Sequence, residues 1–187
     1  MSTNRKYYIV MIVAGVIALV FNVASDDSAL LFVQKRLGIP AQPLRIGLAE
    51  FERSDQWLLI ASRESPDQSV RLFGMFPSWF AIKPFAAPPE RFHAFRLVGD
   101  PDRATVTLIE ENAHTINNVA EIIARSSLRK DAVAASSPKR RTFRGHDALE
   151  WRFSSASIIY IPGLRVTILM EPASSVAEAG ISIAEPK

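Results

Sequence analysis

The sequence of 187 residues contains no cysteine. Without thiols the chain forms no structural disulfide, no cysteine-ligated zinc or iron–sulfur centre and no thiol nucleophile. It has 8 glycines and 12 prolines, and charged residues make up 22% of the chain. This ordinary globular composition excludes a collagen-like, a disulfide-rich or a wholly disordered chain.

The short motifs that carry most enzyme chemistry are missing as well. The sequence has neither the glycine-rich dinucleotide fingerprint nor a Walker A loop, and no serine lies in a Gly-x-Ser-x-Gly pattern. His93, His114 and His146 lack metal-ligand spacing. Glu110 and Glu111 close a strand and therefore point to opposite faces. We predict no catalytic residue, no metal site, no cofactor and no enzymatic activity; three histidines in one cleft would indicate the opposite.

Charge is absent from Tyr7 to Ser25, a largely apolar segment. A helix over these roughly 19 residues would be about 28 Å long, close to the ~30 Å hydrocarbon core of a bilayer. Arg5 and Lys6 precede the segment, which predicts a cytoplasmic N-terminus. Arginine outnumbers lysine, which favours a bacterial protein. With the segment in the inner membrane and the N-terminus in the cytoplasm, we expect the C-terminal domain in the periplasm.

A cleaved signal peptide is the alternative interpretation of this segment. Val23, Ala24 and Ser25 before Asp26 fit a small-residue cleavage pattern. Both interpretations export the remaining domain. After cleavage, the chain would be a secreted or periplasmic module that binds a ligand or a lipid.

The hydropathy pattern divides the chain into four parts. We expect a cytoplasmic tip and anchor over 1–25, a short helix and linker over 26–43, an α+β globular domain over 44–172 and a loose tail over 173–187. The short helix is capped by Asp27 or Ser28 and by Gly38, and it is expected to continue the membrane helix as a stalk.

Within the globular domain, most segments alternate apolar and polar residues and predict strands. These are 44–48, 57–61, 70–76, 79–82, 92–98, 105–108, 148–153, 158–161 and 164–170, the last two forming a hairpin around Pro162 and Gly163. Thr115 to Leu128 has helical periodicity. The predicted fold class is α+β: an N-terminal single transmembrane helix, followed by a mainly antiparallel sheet domain with one main amphipathic helix.

The densest basic cluster consists of Lys139, Arg140, Arg141 and Arg144. We expect a solvated loop, or an edge strand whose charge prevents aggregation. Lipid headgroups and an acidic partner are the alternative ligands. Nucleic acid is excluded as a partner, because the domain is expected outside the cytoplasm.

An aromatic stretch is stiffened by four prolines between residues 76 and 89. Its aromatic side chains either fill the core or contact a partner protein, because exposed aromatic groups on a preorganised loop are good interface anchors. Trp79, Phe80 and Phe85 are the predicted partner-contact residues. Trp151, in contrast, alternates with Leu149 and Phe153 and is predicted to be buried.

Five segments occur in an order that is similar to the PsbP-like domains. They are Phe76-Pro-Ser-Trp-Phe, Ala104-Thr-Val-Thr-Leu-Ile-Glu-Glu, the helix over 115–128, Gly145-His-Asp-Ala-Leu-Glu-Trp-Arg-Phe and Leu164-Arg-Val-Thr-Ile-Leu-Met. The resemblance covers about residues 69–170. It implies a central antiparallel sheet flanked by helices, used as a non-enzymatic accessory or assembly module at a membrane complex.

Together these patterns predict a non-enzymatic, membrane-anchored accessory or scaffolding subunit of a bacterial inner-membrane complex. Its expected partners are membrane lipid and the protein subunits of that complex.

Overall fold

A computed structural model of the protein describes residues 8–9, 11–16, 18, 26–40, 43–52, 54–73, 90–110, 137–153, 156–172 and 175–184. Strands dominate these ranges. They are β1 (Leu44–Ile46), β2 (Ala49–Glu52), β3 (Trp57–Arg63), β4 (Arg71–Leu72), β5 (Phe92–Leu97), β6 (Thr105–Glu110), β7 (Lys139–Phe143), β8 (His146–Arg152), β9 (Ser157–Ile161), β10 (Val166–Glu171) and β11 (Ser182–Ala184). The helices with described bounds are α1 (Asp27–Leu37), α2 (Ser175–Ala179) and a 3₁₀ turn (Pro162–Leu164).

The strands form two sheets with antiparallel pairing. The large sheet has eight strands in the order β4-β3-β5-β6-β10-β9-β8-β7, and the small sheet has the order β1-β2-β11. The hairpin predicted around Pro162 and Gly163 is confirmed, because β9 and β10 pair from Ile161 and Val166 outward. The arrangement leaves β4 and β7 as the two edges of the large sheet.

Both faces of the large sheet are covered. On one face, Phe95 and Ile168 belong to the same buried cluster as Phe51 of the small sheet. On the other face, Leu31 of α1 joins a second cluster that includes Trp151. Trp151 is buried, as its alternation predicts. The chain therefore forms a layered structure with the large sheet in the middle.

The membrane prediction is wrong. Within the described ranges no helix is both long and apolar enough to cross a bilayer. Of the segment between Tyr7 and Ser25, residues 8–9, 11–16 and 18 are described, and they are helical. The 11-residue helix α1 would rise only about 16 Å, and Asp27 and Lys35 give it charge. A spanning helix needs about 20 apolar residues, and no helix among the described residues meets that length.

The predicted fold class is corrected accordingly. The described residues form mostly antiparallel sheet with few helices, rather than an α+β domain that follows a transmembrane helix. The amphipathic helix predicted from Thr115 to Leu128 and the strand predicted over 79–82 lie outside the described residues.

Helix α1 differs from the predicted stalk. Its N-cap is Asp26, whose side chain accepts from the backbone N–H of Ser28 at 2.9 Å, so the helix begins one residue earlier than expected. Gly38 in the left-handed conformation ends the helix, as predicted. The helix lies against β3, because Leu31 and Gln34 are buried there.

The structure also corrects the prediction of a loose tail for residues 175–184. Strand β11 pairs with β2, which places Ile183 opposite Phe51. Ala177 and Ile181 are fully buried in the core beneath the small sheet. An Ala- and Ser-rich composition predicts weak local structure, but these apolar side chains gain their order from tertiary burial.

Gln34 closes part of one edge of the large sheet. Strand β3 carries an extra residue, Ile60, between the paired residues Leu59 and Ala61. The Gln34 side chain donates from Nε2 to the Leu59 carbonyl at 2.7 Å and accepts from the Leu59 N–H at 2.9 Å. Its amide thus takes the place of a neighbouring strand, where β4 contributes only two residues.

Gly47 permits a close approach between the small sheet and the turn of the β9–β10 hairpin. It lies in the β1–β2 turn with φ +59°, and a Cβ there would lie 2.4 Å from the Leu164 carbonyl oxygen. The next residue, Leu48, donates its N–H to that same carbonyl at 2.8 Å. A side chain at position 47 would therefore separate the small sheet from the β9–β10 hairpin.

We expect Gln34→Ala to lower the free energy of unfolding by about 2 to 4 kcal/mol, because it leaves the buried N–H and carbonyl of Leu59 without partners. Thermal denaturation should show a Tm lower by roughly 5 to 15 °C. Lys35→Gln is the control, since Lys35 forms an exposed ion pair with Asp55. Equal Tm values for the two variants would contradict this role of Gln34.

We expect Gly47→Ala to cost about 2 to 5 kcal/mol of stability, because left-handed strain adds to a steric clash with backbone. Gly99→Ala is the matched control: Gly99 has φ +85°, but nothing lies within 4 Å of its added Cβ. The control should lose about 1 to 2 kcal/mol in chemical denaturation. A Gly47 variant no less stable than the control would exclude the close approach.

Candidate functional site

The predicted contact residues Trp79, Phe80 and Phe85 lie outside the described residues, and so does His114. Their roles stay predictions. His93 lies on β5 and His146 on β8, and three strands separate them in the large sheet. At about 4.8 Å per strand, this separation amounts to roughly 19 Å along the sheet. The structure therefore does not bring these two histidines together.

His93 is the most isolated polar side chain of the described core. It is 2% exposed, and within the described part neither ring nitrogen has a hydrogen-bond partner. The Glu64 carboxylate lies 3.6 Å from Nε2, which is too long for a normal hydrogen bond. Ser62 lies directly opposite on β3, and the Phe95 ring lies 6.4 Å away.

Arg91 connects this histidine to the strand ends around it. Its Nη1 lies 2.5 Å from Glu110 Oε2, and its Nη2 donates to the Arg45 carbonyl at 3.1 Å. Its Nε lies 3.9 Å from the Glu64 carboxylate. Arg91 thus links β5 to β6 and the small sheet, and it adds positive charge beside His93.

Burial lowers the pKa of His93 from its ordinary value of 6.5. The Glu64 carboxylate raises the pKa in part, and Arg91 lowers it further. Among the described residues, no three side chains are placed to hold a metal ion.

A second polar group lies at the opposite end of the large sheet. Arg141 on β7 contacts Glu178 of α2, and its Nη1 lies 3.4 Å from Glu150 on β8. Arg144, in the β7–β8 turn, donates to the carbonyls of Glu178 and Ala179 at 3.0 Å each. These contacts join the edge strand to the C-terminal helix.

Glu150 is the acceptor at the centre of this group. Its Oε1 accepts from Arg152 and from the Ser157 hydroxyl, each at 3.1 Å. Burial by itself raises the pKa of Glu150, but Arg152, the Ser157 hydroxyl and Arg141 outweigh it and lower the pKa. The hydrogen bond with Glu178, and to a smaller extent the charge of Glu150, raises the pKa of Arg141. Both groups are charged at neutral pH.

The remaining cations of strand β7 face solvent. Lys139 and Arg140 are exposed, and neither forms an ion pair within the described part of the chain. Together with Arg144 in the following turn, they give the β7 edge its positive charge. A groove of about 500 Å³ adjoins it and is lined by Arg140, Arg141, Thr142, Asp147, Ala148, Leu149 and Pro162.

The sequence indicated only part of this arrangement. The basic cluster does lie on an edge strand, which is one of the two placements expected for it. No local pattern connects Glu64 with His93, or Glu178 with Arg141. Each pair joins residues distant in the chain, and one partner lies in a loop or in the supposed tail. A lone glutamate in a loop or near the end of the chain gives no such signal.

We expect acid to destabilise the protein through His93. Because its pKa is lower in the folded state, the unfolded chain binds more protons below pH 6.5. The contribution of neutral His93 to the free energy of unfolding is fully present above about pH 6.5. It is lost as the pH falls below that value, and the free energy of unfolding then decreases by at most about 1.4 kcal/mol per pH unit. Urea denaturation of the protein and of His93→Leu from pH 7.5 to 5 measures this slope.

The leucine variant should show a flatter pH dependence than the wild type. Glu64→Gln should extend the loss of stability to lower pH, because the carboxylate that raises the pKa of His93 is removed. Identical slopes in the wild type and His93→Leu would show that His93 does not cause the acid sensitivity.

Comparisons of the chain with protein-family models, with curated proteins and with solved structures find no match. They neither support nor contradict the similarity to PsbP-like domains, which stays a prediction. Any proposal of function therefore rests on the geometry of the two polar groups and of the sheet edges.

Proposed function

We propose that the protein is a non-enzymatic accessory module that binds a partner protein through its β7 edge. The observation that carries this proposal is the difference between the two edges of the large sheet. One is shortened and covered, and the other presents a five-residue strand with exposed cations.

The covered edge is unsuited to a partner. Strand β4 consists of Arg71 and Leu72 alone, and beyond it the Gln34 amide occupies the backbone of Leu59. Short edge strands and covering helices are the usual means by which proteins prevent unwanted strand pairing. Strand β7 has neither device among the described residues, and its cations oppose pairing only with a strand of like charge.

The β7 edge is held in place before any partner binds. Arg141 is fixed between Glu150 and Glu178, and Phe143 is buried beneath the guanidinium groups of Arg141 and Arg144. A preorganised surface loses less conformational entropy on binding. The exposed Lys139 and Arg140 can thus attract a partner without distorting the strand beneath them.

The charge of this edge favours an acidic partner surface. Glu150 and Glu178 both contact Arg141, and among the described residues neither forms an ion pair with Lys139 or Arg140. Unpaired cations increase the association rate with acidic surfaces and suppress the binding of basic ones.

We expect the double variant Lys139→Glu/Arg140→Glu to lose its partner. Affinity purification of the full chain from the cells that express it should recover that protein at least tenfold less with the variant. The double variant should keep a Tm within a few degrees of the wild type, because the two side chains are exposed and unpaired.

Arg71→Glu, on the opposite edge, is the matched control and should recover the partner at the wild-type level. The proposal fails if the double variant recovers the same protein as efficiently as this control. It also fails if Arg71→Glu alone abolishes recovery.

A further inference from the structure

We infer that the ligand of this edge is an extended acidic segment, which adds to β7 as a ninth strand of the large sheet. The inference rests on the proposed function and specifies the chemistry of its ligand. It is drawn from the direction of the backbone groups of β7, from the side chains beside them and from the adjoining groove.

The hydrogen bonding of β8 determines which backbone groups of β7 are free. Directly after β8, the Phe153 N–H donates to the Ala156 carbonyl at 2.8 Å, toward the β9 side. Backbone groups alternate in direction along a strand, so Glu150, Ala148 and His146 point the other way, toward β7. Their partners on β7 are Lys139, Arg141 and Phe143. The N–H and C=O groups of Arg140 and Thr142 therefore point outward.

The turn between β7 and β8 leads to the same conclusion. Arg144 and Gly145 form a two-residue turn with φ values of +50° and +84°, the left-handed pair typical of type I′ hairpins. In such a hairpin the flanking residues, Phe143 and His146, exchange hydrogen bonds across the ladder. Counting back along the strand again leaves Arg140 and Thr142 facing away from β8.

Two outward N–H groups and two outward carbonyls thus lie on this edge, without partners among the described residues. An extended segment of about five residues can pair with all four, which is the mode of recognition called strand addition. Main-chain pairing supplies affinity without sequence specificity, so side chains must select the ligand.

Charge and shape select an acidic segment. Arg140 and Thr142 share one face with Leu149 and Asp147, their cross-strand neighbours, and these four residues line the groove together with Pro162. A ligand carboxylate opposite Arg140 would gain an ion pair. Opposite Thr142, the groove contains Asp147 and Leu149, so an uncharged residue fits there.

A second copy of this chain is the less favourable occupant. Two β7 edges side by side would bring the Lys139 and Arg140 cations of both copies together, and like charges at an edge oppose pairing. The same charges that prevent self-pairing thus attract a segment of opposite sign.

The test is a binding titration of the full chain, monitored by the fluorescence anisotropy of a labelled peptide. The peptide has seven residues, with alternating Thr and Val and two Glu residues among them. We expect saturable binding. Replacing both Glu with Lys, or the central Val with Pro, should weaken binding at least tenfold. Arg140→Glu should weaken it similarly, whereas Arg71→Glu should not. If the acidic and basic peptides bind equally, or neither binds, the inference is wrong.

Thr142→Pro separates strand addition from simple charge attraction. Proline at this position removes an outward N–H but no hydrogen bond of the β7–β8 ladder. It should weaken peptide binding at least fivefold, whereas Thr142→Ala, which keeps the N–H, should stay within twofold of the wild type. Equal binding by the two variants would contradict strand addition. Partner recovery in the affinity experiment would then still support the proposed function.

Amide hydrogen exchange of the wild-type chain gives a second measurement, independent of whether the proline variant folds. The acidic peptide should slow exchange at Arg140 and Thr142 at least tenfold and leave Arg141 unchanged, because its N–H already bonds β8. Uniform protection of the strand, or none, would overturn the inference. Protection that appears at higher protein concentration without peptide would identify a second copy as the occupant.

Discussion

An open sheet has two edges, and the backbone N–H and C=O groups there must find partners or stay in water. The large sheet of this protein meets that constraint differently at its two ends. At one end a two-residue strand and the Gln34 amide shorten and cover the edge. At the other end no described element pairs with the outer side of β7, and exposed cations oppose its pairing with a second copy. The first arrangement serves stability, and the second leaves the edge that we propose as a binding surface.

Two helices outside the large sheet contribute side chains that hold its edges. The N-terminal α1 supplies Gln34, and the C-terminal α2 supplies Glu178, which anchors Arg141 on β7. Strand β11 and strands β1 and β2 together cover one face of the large sheet. The close contact at Gly47 fixes the small sheet against the β9–β10 hairpin. The conformation of the β7 edge therefore depends on residues distant from it in the chain.

The two buried polar groups show how partners decide the effect of burial. Glu150 accepts from Arg152 and Ser157 and lies near Arg141, so its pKa falls although burial opposes ionisation. His93 has no hydrogen-bond partner among the described residues, so desolvation prevails and favours its neutral form. The first group stabilises the β7 end of the sheet at neutral pH. The second makes the opposite end sensitive to acid.

Local pattern was sufficient to place most strands, the burial of Trp151, the Gly38 cap and the hairpin at Pro162. Alternation records which face of a strand is buried, and the cap needs only one residue in the left-handed conformation. Hydropathy alone predicted a spanning helix over the segment from Tyr7 to Ser25, whereas no described helix is long and apolar enough to cross a bilayer. Composition was misleading for the tail, whose order comes from burial against distant strands.

Only the tertiary structure decided which strands are neighbours. The pairing of β6 with β10, the bond from Gln34 to Leu59 and the contact of Arg141 with Glu178 each join residues far apart in sequence. A residue's local pattern determines the face that it presents, but its neighbour on that face is chosen by the packing of the whole chain. For this reason the sequence determined that Lys139 and Arg140 are solvated cations, and the fold made them the open edge of a sheet.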